Sequence, residues 1–265
     1  MYRQFFGLRD EPFDKDIDIK DLFMSNDVME AESRINYIAE TKGIFLLIGE
    51  SGSGKTAVLR HATETLGQTI YKVCYLSLTT LTVNDFFSAL VSMLGEQPRY
   101  RKIDMFHQIQ NVISDLYYRQ KITPVIIVDE IHMASVSILE DLRMIFSFKM
   151  DSADPYILIL AGQTSIRNKL VLNACLPIKQ RIRLKYSMQG LDENETAQYI
   201  NHRMRSAGGN DNVFAPEALA SIYAATNGFP RSIGNLSAHC LMYAAAKGVR
   251  IIDQDAVYQA SKELL

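Results

Sequence analysis

Gly49-Glu50-Ser51-Gly52-Ser53-Gly54-Lys55-Thr56 fits the pattern G-x-x-x-x-G-K-[ST], and each position has a physical reason. Glycines let successive backbone N–H groups turn inward around an anion, and a lysine adds a point charge at the β- and γ-phosphates. The Thr56 hydroxyl is of the type that ligates magnesium. The stretch follows an apolar run, 44–48, and leads into a segment of helical character that begins Ala57, Val58, Leu59. A helix starting at the loop points the positive end of its dipole at the same phosphates. Multiplying average residue frequencies, the bare pattern arises by chance in roughly 1% of chains this long. A strand before it and a helix after it make a chance match rarer still.

Short apolar runs elsewhere alternate with longer helical patterns, the signature of a parallel sheet with crossover helices. The expected strands are 44–48, 71–78, 125–129, 156–161 and 181–187. The third, Val125-Ile126-Ile127-Val128-Asp129-Glu130, is a buried-type strand that ends in two acids. A carboxylate at the carboxyl end of a central strand sits where α/β sheets place ligands. Asp129 is read as a member of the magnesium shell and Glu130 as the group that polarises an attacking water. His132 can be read as catalytic or as a loop histidine that contacts backbone.

Between the second and third strands two helices are expected. The first has Thr82 as N-cap, Asp85 three residues on, and Gly95 past its end; the second covers about 103–120. After Gly190 the pattern becomes wholly helical. Asp192 and Glu195 form a capping box, Gly208-Gly209 end that helix, Pro216 opens the next, and Asn227-Gly228 close it. A third helix follows Pro230 and a fourth begins at Asp253. The expected organisation is an α/β domain over 1–190, including the N-terminal segment, and a small all-α domain over 191–265.

The chain has 265 residues, 48% hydrophobic and 22% charged, ordinary usage for a globular protein. A net charge of −2 gives no global attraction to nucleic acid, so any such contact must come from a local patch. Cys74, Cys175 and Cys240 form no CxxC pair and suit a reducing compartment. No apolar run approaches the ~20 residues that span a bilayer, and the N-terminus lacks the features of a signal peptide. These features point to a cytoplasmic protein.

The sequence resembles the AAA+ superfamily and, more narrowly, the ATPases of the ExeA/GspA type. The likeness covers nearly the whole chain: Phe5-Phe6-Gly7-Leu8, Pro12-Phe13, the phosphate loop, Asp129-Glu130, Leu160-Ala161-Gly162-Gln163, Gln180-Arg181-Ile182, Glu195-Thr196-Ala197-Gln198-Tyr199-Ile200, His202-Arg203-Met204, and Asn227-Gly228-Phe229-Pro230-Arg231. It implies an AAA+ P-loop NTPase fold with a parallel five-stranded sheet and a helical lid, ATP with Mg2+ as ligands, and hydrolysis of ATP to ADP and phosphate. It implies that residues 49–57 bind the nucleotide and that Gln163 senses the γ-phosphate or its water. Arg231 is the implied sensor from the lid. Arg181 resembles the arginine finger that completes a neighbour's site, with Arg183 the alternative two residues on, where a strand would put both on one face. A finger acting in trans implies a homo-oligomer, ring or filament.

Two basic stretches bear on the partner. From Ser165 to Leu191 the chain carries Arg167, Lys169, Lys179, Arg181, Arg183 and Lys185 and no acid. Pro98-Arg99-Tyr100-Arg101-Lys102 interleaves an aromatic with three cations, in a region that tends to face the pore of AAA+ rings. Arg99, Arg101 and Lys102 are therefore candidates for salt-sensitive contacts to DNA phosphates, with a solvated face or a subunit interface as the other reading. Secretion-type relatives carry a membrane span and a peptidoglycan-binding part after the ATPase region. This sequence ends at Leu265 without them, so it is expected to resemble the stand-alone helper ATPases of transposons (the TniB, TnsC, IstB and MuB type), which assemble on double-stranded DNA and direct a transposase. The alternatives are an ATPase assisting assembly of a secretion or membrane complex, and a nucleotide-gated binding switch with slow hydrolysis.

Overall fold

The computed structural model describes residues 2–15, 18–67, 69–78 and 82–263; Met1 and Leu265, which bound the two expected domains, lie outside them. The helices are α1 (Tyr2–Phe6), α2 (Asn26–Thr41), α3 (Lys55–Thr65), α4 (Val83–Met93), α5 (Lys102–Ser114), α6 (Val136–Ile145), α7 (Ile166–Leu170), α8 (Leu176–Arg181), α9 (Glu193–Ser206), α10 (Pro216–Thr226), α11 (Pro230–Lys247) and α12 (Gln254–Lys262). The strands are β1 (Gly43–Ile48), β2 (Tyr71–Ser77), β3 (Thr123–Asp129), β4 (Ile157–Gly162) and β5 (Ile182–Ser187). They form one five-stranded sheet in the order β2-β3-β4-β1-β5, and every pairing is parallel.

Spatially the chain groups into two compact units, one of residues 30–51 and 58–188, the other of residues 1–29, 52–57 and 189–265. In the first, β1, β3 and β4 are buried along their whole length, as a parallel sheet covered on both faces requires. Ile44, Leu46 and Ile48 of β1 face a core that also takes Phe86, Phe87, Ile109, Leu139 and Leu142 from α4, α5 and α6. The outer strands β2 and β5 alternate instead, because each has a neighbour on one side only. Asp129 and Gly162 thus end neighbouring strands, β3 and β4, at the carboxyl edge of the sheet.

The second unit is helical. Ile200, Met204, Ile222, Ile233, Cys240, Leu241 and Val257 from α9 to α12 form its core, and Leu8 joins them. The N-terminal segment, expected with the α/β part, groups here for a visible reason. Arg203 is 4% exposed, and its guanidinium donates to the carbonyls of Pro12 and Asp14, the latter at 2.7 Å. Arg9 N–H adds a bond to Ala207 O at 2.8 Å. Burial pushes the Arg203 guanidinium down from its ordinary value, but an arginine stays charged, so the carbonyl partners are what make its burial tolerable.

The expected caps are present: Thr82 with Asp85 on α4, Asp192 with Glu195 on α9, Asp253 on α12, and Asn227 in the left-handed region closing α10. The helix expected over 103–120 is α5 continued by a π-helical turn, Asp115–Gln120, which Lys121 closes at φ 60°. Helices α2 and α6 have no counterpart in the sequence expectations, although Ser135 caps α6 by accepting from Ile138 N–H. The three cysteines are buried and unpaired, as small hydrophobes. Among the described residues no helix is long and apolar enough to cross a membrane.

Candidate functional site

The phosphate-loop residues fall in both compact units, because the chain passes from one to the other at Ser51-Gly52. In the helical unit, Gly52 and Gly54 hold φ angles of 81° and 98°, open to glycine and strained for other residues. Lys55 is the first residue of α3 and is 7% exposed. Ser53 is 3% exposed, and its Oγ has no partner among the described residues. A turn of this kind at a helix N-terminus, with a buried hydroxyl left unsatisfied, fits a phosphate ligand.

The same unit brings Arg231 to the loop. Its N–H donates to Gly52 O at 3.2 Å, and a Cβ added at Gly52 would lie 2.7 Å from Arg231 Cβ. The stretch from Asn227 to Arg231 explains how. Asn227 turns left-handed at φ 51°, Gly228 follows at φ 74°, and Pro230 starts α11, so Arg231 enters the helix beside Gly52. Gly228 also packs against Leu191, whose N–H bonds Gly228 O at 2.8 Å; a Cβ at Gly228 would sit 1.9 Å from Leu191 O. Gly228→Ala adds both the clash and the left-handed strain. It is expected to destabilise the protein by roughly 2–4 kcal/mol, read as a lowered thermal midpoint; an unchanged melt would contradict this account of the turn.

In the α/β unit, Gly49 N–H bonds Gly162 O at 3.1 Å, and Glu50 accepts from the Thr164 hydroxyl. Asp129 is 4% exposed; its Oδ1 accepts the Glu130 N–H and its Oδ2 the Tyr75 hydroxyl, each at 2.8 Å. Burial and the bond to Asp129 push the Tyr75 phenol well above its ordinary range, so it remains a donor that orients the carboxylate. Glu130 is left-handed at φ 55°, ψ 34°, which costs an L-residue on the order of 1 kcal/mol. Strain at the residue after a buried acid is a feature of functional turns. Gly162 lets this turn approach β4: an added Cβ would meet Ile131 Cγ2 at 2.9 Å and His132 N at 3.1 Å. Gln163 follows directly, half-buried, with its N–H 3.4 Å from His132 Nδ1.

The expected finger is placed differently. Arg181 ends α8 rather than opening β5, so no strand alternation puts it on one face with Arg183. Its side chain is 15% exposed and donates to Arg143 O and Phe146 O, both at 2.8 Å, with Asp151 at 2.6 Å. It therefore caps the carboxyl end of α6, where a cation suits the helix dipole. Arg183 is 43% exposed and contacts Thr41 O and Asp154. In the basic loop, Arg101 pairs with Asp104 at 2.8 Å and Lys102 with Asp141 at 2.7 Å. Two of its three cations are thus matched by acids; Arg99 and Tyr100 stay exposed. The acid-free stretch instead lines a cavity of about 680 Å³ beside β5, where Arg167, Lys179, Arg183 and Lys185 stand over Leu46, Ile48 and Leu170.

Sequence reasoning missed Tyr75, and it named Ser53 only as one of residues 49–57, without its orphaned hydroxyl. Tyr75 carries no local signal, since its bond to Asp129 depends on β2 pairing with β3. Ser53 stands inside the motif but at a position the pattern leaves open.

Comparison with known proteins agrees with this fold. The chain is 29% identical over 268 residues to general secretion pathway protein A of Aeromonas hydrophila, covering 100% of this chain and 48% of that protein. It therefore spans about half the length of that relative. Among solved structures it is similar to CDC6P from Pyrobaculum aerophilum (TM-score 0.73, 15% identity, 97% of this chain and 72% of that one). It is also similar to the Aeropyrum pernix ORC1 protein in complex with DNA (TM-score 0.68, 18% identity, 96% and 68%). The RuvB Holliday junction branch migration motor of Thermotoga maritima gives a TM-score of 0.60 at 19% identity, over 91% and 70%. At these identities the likeness shows the fold. A family model described as AAA domain matches residues 38–170, half of the sequence, and on that match the chain belongs to the AAA domain family.

Proposed function

We propose that the chain is a magnesium-dependent ATPase whose nucleotide state governs association of its copies, in the service of assembling a larger secretion-type complex. The observation that carries the ATPase reading is the loop itself: two left-handed glycines, the buried Lys55 at the start of α3, and a buried hydroxyl without a partner among the described residues. Backbone N–H groups of residues 49–57 and the Lys55 ammonium bind the β- and γ-phosphates. Thr56 and Asp129 are the residues that hold magnesium, and the bond from Tyr75 keeps the Asp129 carboxylate oriented for it. Magnesium, when bound, neutralises charge on the β- and γ-phosphates. Glu130 polarises the attacking water, Gln163 orients it from the end of β4, and Arg231 reports bound nucleotide from the start of α11. Residues 191–265 serve as the lid.

The similarity to general secretion pathway protein A over the whole of this chain favours the secretion-type role over the transposition role expected from the sequence. Because the match takes in 48% of that protein, the position of Leu265 has no bearing on the choice. The trans arginine is a further part of the proposal, and its geometry favours Arg183 over Arg181, since Arg181 is committed to α6. A DNA-directed role is kept as a second reading because one observation favours it, the cation-lined cavity beside β5.

The test is mass measured by light scattering with Mg2+ and ATP, ADP or a slowly hydrolysed analogue, with and without a 50-base-pair duplex. Association with ATP and with the analogue, but not with ADP, is expected, and the duplex is expected to change nothing. Equal mass in all nucleotide states would overturn the assembly reading. Duplex binding that weakens steeply with salt would replace the secretion-type role by the DNA-directed one.

A further inference from the structure

His132 stands between two residues that the proposed reaction uses. Its Nδ1 lies 3.2 Å from Glu130 Oε2 and 3.4 Å from Gln163 N. The imidazole is 12% exposed, and its backbone is fixed from both sides. Lys169 Nζ donates to His132 O at 2.6 Å and to Ala134 O at 2.7 Å, while the absent side chain of Gly162 lets β4 press against His132 N.

One ring nitrogen cannot donate and accept at once. With a proton on Nδ1 it donates to Glu130; without one it accepts from the Gln163 N–H. Glu130 Oε2 decides between them. The glutamate side chain is 42% exposed, yet Oε2 itself is turned away from solvent and forms no hydrogen bond among the described residues, with His132 Nδ1 at ion-pair distance from it. A buried carboxylate oxygen left without a donor is costly. The amide contact is the longer of the two but is the one with hydrogen-bond geometry; the carboxylate stands nearer, at ion-pair distance.

We propose that His132 is a positioning residue: its imidazole, with Nδ1 at ion-pair distance from Oε2, holds the Glu130 carboxylate in the orientation from which it polarises water. This rests on the reading of Glu130 as the water-polarising group. The strained backbone at Glu130 fixes where its side chain leaves the chain, and His132 fixes where it ends. Since the same ring atom is within reach of Gln163 N–H, a change at the end of β4 that draws the ring toward Gln163 releases Glu130. The end of β4 and the carboxylate are thereby coupled through one imidazole.

The experiment compares His132→Asn, His132→Gln and His132→Ala in the full chain, with thermal melts to confirm folding. Asparagine places an amide nitrogen close to where Nδ1 stands; glutamine carries its amide one bond further. Turnover of ATP is expected to fall about tenfold to hundredfold in the alanine and glutamine variants, the usual cost of losing an orienting partner. The asparagine variant is expected to recover most of it, and ATP affinity is expected to stay unchanged in all three. Alanine at the wild-type rate, glutamine equal to asparagine, or affinity falling in step with turnover would each overturn the proposal. A parallel Glu130→Gln sample separates the two levels. Normal turnover there removes the underlying reading and the inference with it, whereas a dead Glu130→Gln beside a fully active His132→Ala removes the inference alone.

Discussion

Lys55→Ala protein is expected to lose about 100-fold in ATP affinity while melting at or near the wild-type temperature. The magnitude follows from the interaction removed. A charge-assisted hydrogen bond contributes roughly 1.5–3 kcal/mol, and each 1.4 kcal/mol is about tenfold in affinity. Lys55 is 7% exposed, so its ammonium acts where water screens it poorly. The substitution leaves Gly52 and Gly54 in place, so the backbone cradle keeps its shape and the loss reports the charge. Binding measured with a fluorescent ATP analogue checks it, and wild-type affinity in a folded Lys55→Ala protein would remove the loop from the account.

Glu130→Gln is expected to act on the other parameter. Glutamine matches glutamate in size and tolerates the same turn but cannot take a proton, so ATP should still bind while turnover falls roughly 10²–10⁴-fold, the range a general base supplies. The left-handed backbone at φ 55° is common to both proteins, which keeps the comparison free of a new strain. Single-turnover hydrolysis measured beside binding separates the two effects. A variant that turns over normally would mean that Glu130 is only a strained turn residue.

What could be read from the sequence was what is local. Residues 49–56 carry their chemistry in one contiguous stretch, and Asp129 was legible because a buried strand announces its own carboxyl end. The caps at Thr82, Asp192 and Asp253 were legible for the same reason, since a cap bonds a residue three positions away. Arg181 fails this condition. Its place turns on whether one residue belongs to the end of α8 or the start of β5, and on partners at Arg143 and Phe146 that no spacing reveals. The pairing of Tyr75 with Asp129 depends on strand register, and the N-terminal segment is placed by Arg203, some 190 residues away in sequence. In the basic loop, composition shows the cations Arg101 and Lys102 but not the acids that meet them.

Everything proposed for the site depends on the loop at 49–57 gripping a triphosphate. Isothermal titration of the purified chain with ATP, with magnesium and with a chelator in its place, tests it most directly. Saturable binding near one nucleotide per chain is expected, strengthening with magnesium and weakening about 100-fold in Lys55→Ala. Absence of heat and of uptake in a correctly folded sample, at nucleotide concentrations up to the millimolar range, would contradict it.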